Sequence, residues 1–511
     1  MAAIITEKFR LQNASQFAES FSETNEHYYM FLGKSSPFTT GTSGGSDVAP
    51  PTPVDDITSE NYRWDSMIGL NKIVASDTAR VINRRTFVSG TTYDMYEHNI
   101  SSSNTANNSS ASNLFDSTFY FITSENKVYK VLYNINPSSG NTQALSSEPT
   151  FTSPVKQFVG GYYLQYMYTL TNSEVSKFLT TDFMPATTDS TVSSGAESAS
   201  GDTAPFNGAP IDVFLVTNQG SGYPNGTYYA KVQGDGSGAI IKIVVASNVI
   251  TRFGETGVST VQTDGTGYTF ATVSLASSNI YTDAGATSLI SGSTQTSWNS
   301  ASAGAITPII SPRVGHGHDA QSELGAHFVM MNTKFEQEEG SDITVQNDFR
   351  QVGIVKNPTS FGSTSLFTAS TGRQTKAVLL ASNSGNFDAD EKITQATTGA
   401  VGRVVEWDAT NKILYYCQER FSNYGVDASN NTVAFSGTNT ITGADSSATG
   451  TPSSSSSTVD SAVFASGYSN PEVQPDSGDI IYIENRRPIS RASDQTEDIK
   501  IIVEFLSLIH I

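Results

Sequence analysis

Hydrophobic and polar residues alternate along much of the chain with the period of a half-buried β-strand. The alternation in STFYFIT (residues 117–123) and KVYKVLYNI (residues 127–135) predicts two strands of a hairpin. One early stretch differs, because Phe9, Phe17 and Phe21 recur at multiples of four residues and would form an apolar stripe on a helix. The pattern therefore predicts a mainly β chain with a helix near its start.

Changes in this pattern divide the chain into a body that is interrupted by two inserted modules. Stretches rich in Gly, Ser and Thr begin near Ala186 and again after Thr359, and short strands separated by turns follow them. The predicted segments are an N-terminal body (1–186), a first inserted β module with linkers (187–308), a return to the body (309–360), a second, barrel-like β module with a low-complexity loop (361–470), C-terminal strands that close the body (471–505), and a short tail (506–511).

Composition and charge narrow the classes of function. The 511 residues exceed one compact core, so several domains are expected. A formal net charge of -20 argues against general nucleic-acid binding, because phosphate contacts need clustered Lys and Arg. The longest apolar run, AIIKIVVASNVI, is interrupted by Lys242 and is too short to span a membrane. The single cysteine, Cys417, lies in the apolar pattern ILYYC, which favours a buried small hydrophobic residue over a nucleophile.

The histidines in GHGHDA are the strongest candidates for a metal site. If this segment is a strand, His316 and His318 share one face, and Asp319 and His327 lie near them in sequence. No Cys cluster or HExxH helix accompanies these residues. We therefore favour structural roles for them and predict no bound metal, while a zinc site remains the alternative.

Two other motifs leave alternative functions open. The segment GSGY, which ends at Tyr223, recurs as GTGY, which ends at Tyr268, and these tyrosines could form a sugar-binding platform. Asp388 and Asp390 in FDADEK could be the paired carboxylates of a glycosidase, although an exposed hairpin turn is the favoured interpretation. Carbohydrate binding by the inserted modules is thus the alternative function, and a glycosidase is a weaker third.

Two arginine pairs stand out in this acidic chain. Arg84 and Arg85 occur in VINRRTF, and Arg486 and Arg487 occur in ENRRPIS. Such pairs either bind Asp or Glu side chains of the same chain or contact another subunit. Arginine forms bidentate hydrogen bonds with carboxylates, and it is enriched at subunit interfaces. Pro488 lacks a backbone donor, which fits a strand end or an edge strand. We interpret ENRRP as a turn between two strands.

Five motifs in collinear order resemble the baseplate wedge subunit family of T-even-like contractile-tailed phages. They are YYMFLGKSSPF, APPTPVDD, IGLNKIVASDTARVINRRTF, FRQVGIVKNP and the closing IIYIENRRPISRASDQTEDIKIIVEF. The resemblance covers residues 1–186, 309–358 and 471–505. The two inserted modules are similar to decorations of cyanophage-like virion proteins.

The resemblance implies a structural virion protein of the tail baseplate, assembled in the host cytoplasm, that is not an enzyme and uses no cofactor. It implies a homodimer that joins other wedge proteins and acts in host attachment and tail contraction. Nucleic acid, direct membrane contact and small-molecule substrates are not expected. The implied fold has several β-sandwich domains, an α+β part in which the N- and C-terminal segments meet, and two inserted small β modules.

The arginine pairs and the closing motif give the predicted interface residues, and the resemblance gives the expected end of the chain. The interface residues are Arg84, Arg85, Asn485, Arg486, Arg487, Pro488, Asp494, Gln495, Thr496 and Glu497. An obligate dimer of this kind is expected to bury about 2,000 Å² or more. Family chains end near Phe505, so residues 506–511 are interpreted as a non-native tail.

Overall fold

A computed structural model describes residues 7–39, 45–55, 57–192, 209–255, 257–336, 347–420, 425–459, 462–490 and 496–505. Strands make up 42% of the structure and helices 11%, and the strands are distributed over several separate sheets. The predicted fold, mainly β and multi-domain, is therefore confirmed.

The helices of the described residues are few and short. They include α1 (Glu7–Ser20), α2 (Ile57–Ser66), α3 (Asn172–Phe178), α4 (Gly292–Ser300) and α5 (Ala320–Glu323). Helix α1 confirms the helix predicted near the start of the chain, but Phe9 is 51% exposed and does not continue the predicted apolar stripe. Eight residues rotate an α-helix by about 80° beyond whole turns, so Phe9 and Phe17 point in different directions.

The strands alternate with turns along the whole described chain. The first sixteen are β1 (Tyr28–Gly33), β2 (Met67–Ile73), β3 (Thr78–Asn83), β4 (Tyr120–Ile122), β5 (Lys127–Tyr133), β6 (Gln157–Val159), β7 (Tyr162–Thr169), β8 (Phe183–Pro185), β9 (Ile211–Asn218), β10 (Gly226–Gly234), β11 (Ile240–Ala246), β12 (Val249–Ile250), β13 (Thr260–Thr263), β14 (Ala271–Val273), β15 (Ile280–Tyr281) and β16 (Ala305–Ile310). The remaining strands are β17 (Phe328–Phe335), β18 (Asp348–Lys356), β19 (Thr371–Arg373), β20 (Lys376–Ser384), β21 (Lys392–Gln395), β22 (Ala400–Asp408), β23 (Ile413–Cys417), β24 (Ile441–Gly443), β25 (Thr449–Pro452), β26 (Ser457–Val459), β27 (Ala462–Phe464), β28 (Tyr468–Ser469), β29 (Asp479–Ser490) and β30 (Glu497–Glu504).

The described residues group into two compact units, and the chain passes between them within α1, β3, β17 and β30. The first unit takes its residues from the ranges Met1–Ser15, Ala79–Val329 and Val503–Ile511. The second takes its residues from Gln16–Thr78 and Met330–Ile502. The six segments predicted from the sequence are a finer division, and they stay a prediction.

The first unit is built from several antiparallel sheets around one core. Four strands pair in the order β4-β5-β7-β6, β3 pairs with β8, and β9 pairs with β16. A further sheet has the order β12-β11-β10-β14, with β13 on β11 and β15 on β10. This single core contains buried residues drawn from Ile82 to Ala326. Its rings include Tyr133 of β5 and Phe253, whose centroids lie 4.9 Å apart, so residues far apart in sequence share this core.

The second unit contains an open sheet and a small closed barrel. The open sheet has the strand order β19-β2-β1-β18-β29, and its central strand β1 is buried at every position because both of its faces are covered. The barrel strands follow the order β23-β22-β21-β24-β25-β20, and β23 also pairs with β20 and closes the ring. Val378, Ile393 and Leu414 lie in the barrel core.

The N- and C-terminal segments meet within the units, as the fold prediction requires. In the first unit, Nε of Arg10 in α1 donates to the backbone oxygen of Phe505 at 2.7 Å, and Nη2 lies 3.2 Å from Oε1 of Glu504. In the second unit, the early strand β1 and the late strand β29 both pair with β18. The last strands therefore complete sheets and contacts that the first elements begin.

The acidic segment FDADEK connects β20 to β21, but one of its carboxylates is buried instead of exposed. Glu391 is 1% exposed and accepts hydrogen bonds of 2.7–3.0 Å from the backbone N–H groups of Asp388, Asp445 and Ser446 and from the Ser446 hydroxyl. Burial alone would raise the pKa of the Glu391 carboxyl. The hydrogen bonds favour the ionised form more strongly, so the net effect is a pKa below the usual value of 4.5. The side chain therefore ties two barrel loops together.

Replacing Glu391 by Gln is expected to lower the free energy of unfolding at neutral pH by about 1–3 kcal/mol. Because folding lowers the pKa of Glu391, its ionised form stabilises the protein above about pH 4.5 and this contribution disappears as the pH falls through the folded pKa. Urea unfolding should show the largest difference between wild type and Glu391→Gln at neutral pH, and a smaller one in acid. The exposed Asp388→Asn is the control. Equal pH profiles for wild type and Glu391→Gln would contradict this role.

Candidate assembly surface

Strand β29 carries the ENRRP motif and lies at the edge of the open sheet. One side pairs antiparallel with β18, with Gly353 opposite Ile483 and Asp348 opposite Ser490. No other strand of the described residues pairs with β29. Since an edge strand presents unpaired backbone N–H and C=O groups, its outer side can bind another polypeptide.

The ENRRP motif lies inside β29, so our interpretation of it as a turn is wrong. The three residues Arg486–Pro488 stand opposite the single residue Arg350, which makes a β-bulge. Pro488 cannot donate a backbone hydrogen bond, and a bulge on an edge strand accommodates it without loss of a sheet hydrogen bond. A turn and a bulge on an edge strand both tolerate proline. Here the residues on both sides of the motif pair with β18, so the motif forms a bulge and not a turn.

The bulge exposes both arginine side chains. Arg486 lies 3.0 Å from the carboxylate of Glu484, and both side chains are more than a third exposed, so this ion pair adds little stability. Arg487 is exposed, and it makes no hydrogen bond or ion pair with the described residues. Two guanidinium groups are thus available for carboxylates of another chain.

Asn485 holds the strand beside the bulge. Its side-chain oxygen accepts a hydrogen bond from Nε2 of Gln351 at 2.7 Å, and its side-chain nitrogen donates to the carbonyl of Pro51 at 2.8 Å. Asn485 is therefore engaged within its own unit, and its contribution to the surface is to fix the strand that presents the arginines.

The structure describes two of the four residues of the DQTE motif, and these two differ in exposure. Asp494 and Gln495 lie outside the described residues. Thr496 is exposed, but Glu497 begins β30 and is only 7% exposed. Burial leaves Glu497 little surface for another subunit, and an interface role for the DQTE residues stays a prediction.

The arginines of VINRRTF are bound within the first unit. Nη1 of Arg84 donates to the carbonyl of Thr180 at 2.7 Å, and Nη2 of Arg85 donates to the carbonyl of Asp116 at 2.8 Å. The Arg85 guanidinium also lies 5.3 Å from the ring centroid of Tyr120. These partners are carbonyl groups and a ring, not the Asp or Glu side chains that we expected. An interface role for this pair stays a prediction.

The GHGHDA segment forms a turn before α5, so His316 and His318 do not share a strand face as predicted. Asp319 instead caps α5 by accepting a hydrogen bond from the Ser322 N–H at 3.0 Å. Burial lowers the pKa of His316 well below its usual value, so its imidazole is neutral. His327 is 7% exposed and lies before β17. Within the described ranges, no group of three or more His, Cys, Asp or Glu residues could hold a metal ion.

A buried ion pair near His316 escaped the sequence analysis. Nζ of Lys130 lies 2.7 Å from Oε2 of Glu323, and both side chains are almost fully buried. The Glu323 carboxylate also accepts backbone hydrogen bonds from Gly317 and Asp319, and the Lys130 ammonium lies 4.2 Å from the ring centroid of Tyr96. Lys130 occupies an alternating strand pattern, where nothing in the sequence marks it as buried.

The tyrosines of GSGY and GTGY do not form an exposed platform. Tyr223 is 3% exposed and Tyr268 is 1% exposed. The Tyr223 ring packs 4.7 Å from Trp298, and its hydroxyl accepts a hydrogen bond from the Gly304 N–H. The Tyr268 hydroxyl likewise accepts from the Ala239 N–H. The predicted sugar platform is therefore wrong, because both rings belong to the core.

The remaining candidates have structural environments. Cys417 is buried, as predicted, and burial raises the pKa of its thiol, which makes it a poor nucleophile. Asp390 lies 3.3 Å from Nη1 of Arg403, while Asp388 is exposed. Among the described helices, none is long and apolar enough to cross a membrane.

Comparison with known protein families gives a match that includes strand β29. A family model described as Bacteriophage T4, Gp8 matches residues 3–153 and 450–505. This chain is similar to the phage Gp8 family. The second matched range contains β29 and β30, and the first contains Arg84 and Arg85. A search of curated proteins found no significant match.

The Gp8 match supports a structural protein of the T4-like baseplate wedge and, with it, a location in the virion tail baseplate. A structural family of this kind suggests a role without catalysis and implies contacts with other baseplate proteins. The Gp8 match leaves out residues 154–449, which contain the strands β6 to β24, including the barrel strands β20 to β24.

Proposed function

We propose that this chain is a baseplate wedge subunit that dimerises and joins other wedge proteins for host attachment and tail contraction, with the edge of β29 as a contact surface. The observation that supports this most directly is the exposed bulge Arg486–Pro488 on an edge strand within a range that the Gp8 model matches. An assembly role needs such an accessible, specific surface and no reactive centre.

The charge balance explains why an arginine pair would matter at this surface. With a formal net charge of -20, two copies of the chain repel each other at long range. A contact therefore needs a local basic patch that meets carboxylates of the partner, and two adjacent exposed guanidinium groups provide one. The same basic patch would bind acidic neighbouring proteins, including a second copy of this chain.

Arg486→Glu combined with Arg487→Glu is expected to leave the fold intact and to weaken assembly at least about tenfold, because two attractive contacts become repulsive. Both side chains are exposed, so circular dichroism and the melting temperature should match wild type. Multi-angle light scattering would measure self-association, and co-purification would measure binding to neighbouring wedge proteins.

The matched control is Lys334→Glu combined with Lys412→Glu, which changes the net charge equally at two exposed lysines outside the residues that the Gp8 model matches. This control should assemble like wild type. A wild-type chain that stays monomeric at every concentration would refute the dimer, and unchanged partner binding by the arginine variant would refute the β29 contact.

A further inference from the structure

A cavity in the first unit has no part in the assembly surface described above. It lies where β6 and the start of β7 meet the part of the chain that contains β9 and β13. Its lining includes the charged residues Lys156, Asp212 and Asp264 and the rings of Phe158, Tyr163 and Phe253. All six residues lie in the range 154–449, which the Gp8 model leaves unmatched.

The aromatic rings form one packed wall of this cavity. Phe158 and Tyr163 are stacked with centroids 4.5 Å apart and an interplanar angle of 25°. The Phe253 centroid lies 6.0 Å from that of Phe158 and 5.8 Å from that of Tyr163. Because the rings hold each other in place, the wall is formed before any ligand binds, and aromatic rings attract cations.

The two carboxylates of the cavity differ in their partners. Asp212 forms an ion pair with the Lys156 ammonium and accepts a 2.6 Å hydrogen bond from the Ser311 hydroxyl. The carboxylate of Asp264 receives no hydrogen bond from the described residues. Burial raises the pKa of Asp264 to about 6, the nearby Asp212 adds to this rise, and Lys156 opposes it.

The charge balance then favours a cationic ligand. One ammonium faces two carboxylates, so the cavity carries one uncompensated negative charge when Asp264 is ionised. A half-buried carboxylate without a counter-cation costs free energy, and a bound cation would remove that cost. The ligand must also fit beside the aromatic wall.

We propose that this cavity binds the guanidinium group of an arginine side chain from a neighbouring polypeptide. A guanidinium group is planar and weakly hydrated, so it stacks on aromatic rings while its N–H groups bind a carboxylate, and an ammonium group does this less well. Asp264 is the carboxylate that receives it, and Phe158 and Tyr163 supply the wall. The site is independent of β29 and goes beyond the proposed function.

Saturation-transfer NMR on the full chain can test this site with two peptides of equal shape. Acetyl-Gly-Arg-Gly-amide carries the guanidinium, and acetyl-Gly-citrulline-Gly-amide replaces it with a neutral urea group. We expect signal transfer to the arginine peptide only. Because ionised Asp264 is the receiving group, binding should weaken as the pH falls through about 6.

Asp264→Asn should weaken binding of the arginine peptide about tenfold, the effect of losing one charge-assisted hydrogen bond. Asp182→Asn, which neutralises an exposed carboxylate of the same unit outside the cavity, should bind like wild type. The melting temperature of Asp264→Asn should equal or exceed that of wild type, because a buried charge is removed. Equal binding of both peptides, or wild-type affinity in Asp264→Asn, would overturn the proposal.

Discussion

Replacing Lys130 by Met is expected to lower the free energy of unfolding by about 3–5 kcal/mol. The substitution keeps roughly the length of the side chain but removes the charge that compensates Glu323, so the buried carboxyl group loses its partner. The two side chains are 0% and 3% exposed, so water cannot replace the lost partner. Urea unfolding at neutral pH measures the change, and the transition of the first unit is the relevant one.

The same strand contains a matched control. Nζ of Lys127 lies 2.7 Å from Glu125, the same separation as in the buried pair, but the Glu125 side chain is 63% exposed. Lys127→Met is therefore expected to cost less than about 1 kcal/mol. If the two substitutions destabilise the protein equally, burial does not set the strength of the Lys130 pair.

A double substitution separates the ion pair from the packing of its side chains. Lys130→Met combined with Glu323→Leu removes both charges, and it should be less destabilising than Lys130→Met alone because no buried charge remains unpaired. An additive or larger loss in the double variant would mean that side-chain packing, and not the charge, dominates this site.

Replacing Gly478 by Ala is expected to cost about 2–5 kcal/mol in the second unit, because two penalties add. Gly478 has a φ of +70°, which L-residues adopt with strain. An added Cβ would also lie 2.4 Å from the backbone oxygen of Lys356 and 2.8 Å from the backbone nitrogen of Pro358. Backbone atoms cannot rotate away as a side chain can, so the turn that leads into β29 must shift.

Gly362 provides the control for backbone strain alone. Its φ is +67°, and an added Cβ would meet nothing within 4 Å. Gly362→Ala should therefore cost only about 1–2 kcal/mol. Thermal unfolding compares the two variants, and assembly assays should show that Gly478→Ala also weakens the β29 contact. Equal destabilisation by both variants would contradict the predicted clash.

Structural features that are encoded by residues close together in the sequence could be predicted from the sequence alone. The alternation in STFYFIT and KVYKVLYNI indicates the strands that became β4 and β5, because successive side chains of a strand face opposite sides. Collinear motifs likewise identified the family resemblance, and the Gp8 match covers two ranges that contain several of them. In the ENRRP motif, Pro488 correctly indicated an edge, although a bulge replaces the predicted turn.

The sequence by itself determined the β character, the helix near the start, the acidic charge and the resemblance to a baseplate family, since each is carried by local pattern or composition. Tertiary structure alone decided which polar groups are buried and which arginines are exposed. The partner of Lys130 is 193 residues away, and Ser446 lies 55 residues from Glu391. Burial and pairing are properties of contacts between distant segments, so Lys130 resembles a surface residue in the sequence and becomes a core ion pair only when the sheets pack.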